Sequence, residues 1–208
     1  MIEITDEHIK NGKLDRKTLA KFGADAVAFK GDKIIFNSVV IFDKCNSLVS
    51  VDCTTFNCNV LFLRCTSLTS VSGATFNCDA DFAECDSLAS VEGATFNGNV
   101  EFWKCNNLSS VDGANFNGTV EFSACDNLTA IAGASFNGNV EFRECYNLSS
   151  VEGATFNGGV VFWWCDSLAS VEGAVFNGYV SFSCCDSLAL VSGATFKHGF
   201  KAEGCALI

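Results

Sequence analysis

A twenty-residue period leaves this chain few ways to fold. "VEFWKCNNLSSVDGANFNGT" at 100–119 is followed at once by "VEFSACDNLTAIAGASFNGN", and the period runs without insertion from Phe36 to Ile208. Phe recurs nine times from Phe36 to Phe196 and eight times from Phe42 to Phe182, so these two columns hold 17 of the 20 phenylalanines. Leu recurs from Leu48 to Leu188, and Val from Val51 to Val191 with Ile131 as the one exception. A unit this short cannot enclose a core by itself, so consecutive units must stack and share one. With a rise near the strand spacing of about 4.8 Å, about 8.5 coils make a rod about 40 Å long.

The path of one coil follows from its apolar positions. Ala94-x-Phe96 and Val100-x-Phe102 alternate, so each reads as a short strand with one face inward, and "NGN" between them reads as a turn. After Phe102 the apolar spacing becomes three, at Cys105, Leu108 and Val111, which suits irregular or 3₁₀-like backbone. Gly93 and its repeats down to Gly193 permit a corner. Asn, Ser, Gly and β-branched residues fill the coil and disfavour helix. The expected fold is an all-β, single-domain β-solenoid with one repeat per coil.

Nine of the 13 cysteines, Cys45 to Cys205, form one column of the same period; Cys53, Cys58, Cys78 and Cys184 lie off it. Cysteine behaves as a small, often buried hydrophobe with a weak S–H donor, so a packing ladder is the favoured reading. Vertical disulfides between coils are an alternative, although nine positions cannot all pair. A tetrahedral metal site is a third, although an even column does not converge on a point. Whether the four off-column thiols pair or stay free is left open.

The series Val100, Phe102, Cys105, Leu108 in "VEFWKCNNL" resembles cysteine-bearing leucine-rich repeats, especially bacterial surface-antigen repeats of the form F-x-x-C-x-x-L-x-x-V. "VEGATFNGNVEFWKCNNL" is also similar to twenty-residue bacterial and phage repeats, with Phe for Leu and Cys for Thr, and "ITDEHIKNGKLD" looks like the leader of such repeats. It departs from them in lacking a Leu-Pro pair. The resemblance covers nearly the whole chain. It implies a leucine-rich-repeat-like solenoid and, more weakly, a binding role.

Residues 1–35 differ from the repeats and read as an N-terminal cap. In "LDRKTLAKFG" Asp15 is a plausible N-cap, Leu19 and Phe22 are apolar and Gly23 is a stop, which predicts a short helix; the strand-like "AVAF" follows. Residues 36–208 form the solenoid, with a partial last coil at 196–208. "FKHGFKAEGCALI" carries Phe200 and Ile208 with little polar closure, so this end invites homodimerisation or fraying. The charged start "MIEITDEHIKNGKLDRK" lacks the apolar core of a signal peptide, and no apolar run reaches bilayer length. A cytoplasmic location and no membrane partner are expected.

Function is read from the outward positions. The formal net charge is −11, and between residues 66 and 195 there are 15 acidic side chains against Lys104 and Arg143, whereas residues 1–35 carry seven basic and six acidic ones. Strand alternation displays Asp81, Glu101, Glu121, Glu141, Val161 and Ser181 in one column and Ala83, Trp103, Ser123, Arg143, Trp163 and Ser183 in the next. Stacked like charges cost stability, and exposed Trp is enriched in binding hot spots. The partner-binding candidates are therefore Asp81, Glu101, Glu121, Glu141, Trp103, Trp163 and Arg143, with Trp164 and Tyr179 weaker. The leading reading is a non-enzymatic protein-binding scaffold whose protein partner has a basic surface, with no direct nucleic-acid binding. The alternative is an acidic mimic of nucleic acid that inhibits a DNA-handling protein. Ice or surface binding through Thr75, Thr95, Thr155 and Thr195 beside Asn77, Asn97 and Asn157 ranks lower, because Asn115, Ser135 and Val175 break the Thr column. No cofactor or metal is expected. The only histidines are His8 and His198, and no catalytic triad or phosphate loop stands out.

Overall fold

Successive repeats lie directly above one another. The computed structural model describes residues 1–189 and 191–206, and its described residues form an all-β solenoid of about eight turns. Each turn contributes a four-residue strand to one ten-stranded sheet, here the broad sheet, and a two-residue strand to a second ten-stranded sheet, the narrow sheet. In one turn these are Val100–Trp103 and Asn115–Phe116. Pairing is parallel and in register at the repeat distance, Val100 with Val120 and Phe102 with Phe122. A third side is held by single bridges such as Ser70 to Ser90 and Ser90 to Ser110.

The interior is two columns of phenylalanine at right angles. Phe96 and Phe116 stack at 5.1 Å and 4°, Phe102 and Phe122 at 5.2 Å and 7°, while Phe96 meets Phe102 edge-on at 84°. Stacked and edge-to-face rings each add about 0.5–1.5 kcal/mol beyond area burial. These ring separations lie close to the strand spacing of about 4.8 Å, so the backbone ladder and the ring stack share one rise.

Cysteine completes this interior. Cys45, Cys65, Cys85, Cys105, Cys125, Cys145, Cys165 and Cys185 are fully buried, and every cysteine is a free thiol. The Cys105 S–H donates to the carbonyl of Phe82 at 3.2 Å, one turn back, and the Cys125 S–H to that of Phe102 at 3.4 Å. Each sulfur thus fills a corner slot and satisfies a carbonyl there. Burial pushes the Cys105 thiol up to about 12.

Two corners flank this column. The expected glycine corner holds, with Gly93 at φ 63°. The other corner was not legible beforehand: the residue before each column cysteine from Cys45 to Cys185 also takes a left-handed conformation, from Lys44 at φ 55° to Cys184 at φ 54°, although none of these eight is glycine; only Gly204, before Cys205, is. The "NG" turn has a different cause, close approach. A Cβ on Gly138 would lie 2.2 Å from the Gly118 carbonyl oxygen. The three-residue spacing after Cys105 corresponds to turns closed by Leu108 N–H to Cys105 C=O and Ala114 N–H to Val111 C=O, rather than to 3₁₀ helix.

The N-terminal segment builds its helix at Arg16–Leu19, with the Asp15 carboxylate accepting the Thr18 N–H at 3.2 Å, a 3₁₀ turn at Ala20–Phe22 and Gly23 at φ 85°. The strand expected at "AVAF" spans Val27–Lys30 and pairs antiparallel with Lys33–Phe36. The leader contributes more than expected. Ile2–Ile4 is a strand paired parallel with the first turn, Ile4 standing opposite Phe42. Ile208, expected in the last turn, lies outside the described residues. No helix among the described residues is long and apolar enough to cross a membrane.

Candidate interaction face

The outer surface of the broad sheet gathers the candidate residues in two adjacent columns. In-register pairing sets Asp81 beside Glu101, Glu101 beside Glu121, and Glu121 beside Glu141. One position along, Ala83, Trp103, Ser123, Arg143 and Trp163 follow one another turn by turn. Trp103 and Trp163 therefore do not meet: Ser123 and Arg143 separate them.

The carboxylates are incompletely compensated. One Asp81 oxygen is buried without a hydrogen-bond partner, and burial raises the carboxyl above its ordinary range. Glu101 is raised by burial and then by the charge of Asp81. Glu121 is raised by burial and by Glu141 and Glu101, with Arg143 working the other way. Side chains stacked at the strand spacing shield one another from water, and like charges so stacked repel.

Beside the acidic column runs a groove of about 500 Å³ at the start of the strands; Asn59, Leu61, Asp79, Asn99 and Thr119 line it together with Asp81, Glu101 and Glu121. A smaller hollow of about 360 Å³ follows further along the face, lined by Glu141, Val161 and Tyr179.

Arg143 serves the face internally. Its guanidinium pairs with Glu141, approaches Glu121 at 3.9 Å and lies 4.5 Å from the centre of the Trp163 ring. Trp163 in turn stacks on Trp164 at 4.8 Å. Trp103 carries the Lys104 ammonium over its ring at 4.6 Å and remains 37% exposed. Ser123, between Trp103 and Arg143, is buried. Trp164 was ranked low from sequence, yet it is exposed at 40%, because the left-handed corner points it out of the strand alternation. Only the corner's conformation reveals this, since no residue type recurs there.

The opposite surface behaves differently. Asn57 donates its amide to Asn37 at 2.7 Å, Asn77 to Asn57 at 2.7 Å, and the chain of bonds continues to Asn177 on Asn157 at 2.8 Å. These amides are spent on one another along the narrow sheet, so their column is a staple between turns.

No known protein family, no characterised protein and no solved structure matches the chain.

Proposed function

We propose that the chain is a non-enzymatic binding scaffold that takes a protein with a basic surface on the outer face of the broad sheet. The observation that carries this reading is the groove lined by Asp81, Glu101 and Glu121, where one Asp81 oxygen has no partner. A column of carboxylates crowded enough to be raised in pKa stabilises neither the strand pairs nor the fold. A Lys or Arg side chain laid along it relieves the repulsion and supplies the missing donors. Trp103 at its edge offers apolar contact of the kind that anchors interfaces. We also infer that the turns are leucine-rich-repeat-like, on the F-x-x-C-x-x-L-x-x-V spacing, and that resemblance likewise implies binding.

The acidic column spans Asp81 to Glu141 and then gives way to Val161 and Ser181. Four turns suit a local protein contact better than tracking of a long nucleic-acid groove, so mimicry of nucleic acid ranks second. The thread of Asn–Asn bonds leaves few free amides for ordering ice, and that reading ranks third.

Two variants of equal net charge test the proposal. Affinity capture from native lysate at low and high salt compares Glu101, Glu121 and Glu141 changed to Lys with Glu92, Asp112 and Glu152 changed to Lys. The first is expected to lose a salt-sensitive partner that the second retains, and Trp103→Ala to weaken the same partner by about tenfold. Equal retention by both charge variants overturns the assignment of the face.

A further inference from the structure

We propose that the solenoid pairs end to end with a second copy of itself through the strand Phe200–Glu203, antiparallel and centred on Ala202. This strand is the last of the broad sheet, and among the described residues it has one neighbour, Val180–Ser183. Its free edge has a defined polarity. Along the broad sheet the N–H groups of even-numbered residues reach forward to odd-numbered carbonyls of the next turn: Val160 to Tyr179, Trp164 to Ser183, Cys184 to Glu203. By the same pattern Phe200, Ala202 and Gly204 aim their N–H groups, and Phe200 and Ala202 their carbonyls, at the open edge. Unpaired groups of this kind are a template for another strand.

A two-fold axis through Ala202 satisfies them reciprocally. Ala202 exchanges both hydrogen bonds with its counterpart, and the Gly204 N–H of each copy meets the Phe200 carbonyl of the other. Lys201 of one copy then faces Glu203 of the other in the close, non-hydrogen-bonded position, twice by symmetry. The edge is thus self-complementary in charge. Within one chain the Lys201 ammonium already lies 2.8 Å from its own Glu203, and both side chains are more than half exposed. In the pair each lysine sits between two carboxylates. The same union covers Phe200, 41% exposed, and the half-buried Phe196 that packs on it at 4.8 Å. Relative to the acidic rod behind it, the last turn is also locally basic, with Lys197 and Lys201 against Glu203, so the approach of two ends avoids the repulsion that two acidic flanks would meet.

Sedimentation equilibrium of the full chain over a concentration series tests this. The expected species has twice the 22.2 kDa chain mass and no larger one. Lys201→Glu and Glu203→Lys alone place like charges opposite each other and should each weaken dimerisation by about tenfold or more. The double exchange K201E/E203K should restore it, and the two single variants mixed should form a heterodimer. Circular dichroism and thermal melting of each variant check that the exposed substitutions leave the solenoid folded. A monomer at all concentrations, with Lys197 and Lys201 acting as guards of the edge, overturns the proposal. Charge exchange without effect overturns the register, and growth to open-ended filaments overturns the two-fold axis.

Discussion

The two ends of the solenoid carry the same repeated core and treat it in opposite ways. At the N-terminal end Phe36, Phe42 and Cys45 are fully buried, whereas in the last turn Phe196 and Cys205 are half-buried and Phe200 is exposed. The covering at the first end is made by residues outside the repeat that imitate one more turn. Ile2–Ile4 pairs in register with Val40–Phe42, and the Ile4 carbonyl accepts the Cys45 S–H at 3.0 Å, the bond that an earlier turn's Phe provides elsewhere. Val27, buried, pairs with Phe36, and Leu19 is fully buried in the same core. At the other end Phe200 replaces the usual Val and Ala202 the usual Phe, and the Phe200 ring leans edge-on against Phe182 at 6.2 Å. A stacked core needs a last layer that differs from the others, because each repeat is stabilised by neighbours on both sides.

The sharpest way to break this comparison is to damage each end in turn. Leu19→Ala should cost about 2–5 kcal/mol, the range for a fully buried leucine. In dilute solution, where the chain is monomeric, Phe200→Ala should cost about 1 kcal/mol, because part of that ring is then in water. Urea denaturation of both variants checks this, and equal shifts of the midpoint would mean that the two ends contribute alike.

Next in size is alkaline pH, which probes the enclosed middle against the ends. The Cys105 thiol is pushed from 9.0 to about 12 by burial, so the unfolded chain releases its proton first. Stability is therefore full below pH 9 and falls by about 1.4 kcal/mol per pH unit for this thiol as pH rises towards 12. Urea midpoints between pH 8 and 11 should show the loss, and Cys105→Ala should make the slope shallower.

Thiol labelling sharpens the contrast without changing stability. Alkylation of the native chain followed by mass spectrometry should modify Cys205 and the exposed Cys53 quickly, and Cys45 only at the rate of global unfolding. Similar rates at Cys45 and Cys205 would remove the distinction between a covered and an open end.

The smallest effect is expected on acidification. Asp81, Glu101 and Glu121 have carboxyls raised by burial in the fold, so the folded chain takes up protons before the unfolded one. Their contribution is present below the ordinary carboxylate range and lost as pH rises through the raised values. Melting temperature should rise slightly from pH 7 to pH 5, and less so in a Glu101→Gln/Glu121→Gln variant. No difference between the two chains would assign the acidic column no energetic cost.

Much of the fold could be read from residue columns. Phe36 to Phe196 and Cys45 to Cys205 were legible as inward because one residue type returns at one spacing. Asp15, Leu19 and Gly23 were legible as a helix because cap, apolar face and stop have recognised positions. The corner before each column cysteine was not, since Lys44, Glu84, Ala124 and Trp164 share no chemistry; their left-handed backbone is imposed by the turn that follows the broad strand. The strand at Ile2–Ile4 is too short to show alternation and exists because Val40–Asp43 offers it an edge. On the candidate face the columns were foreseen, but not the burial of Ser123, the engagement of Arg143 with Trp163, or the groove beside the acidic column.

From sequence alone the period, the direction of each apolar column and the acidic outer rows follow, because stacking identical units at one rise puts like above like whatever the detail of the path. Tertiary structure decided which carboxylates lose water, which tryptophan leaves the row, and which end of the core is covered. Those outcomes depend on neighbours one turn away and on the non-repeating ends, where the sum of contacts, and not the identity of a recurring residue, determines burial.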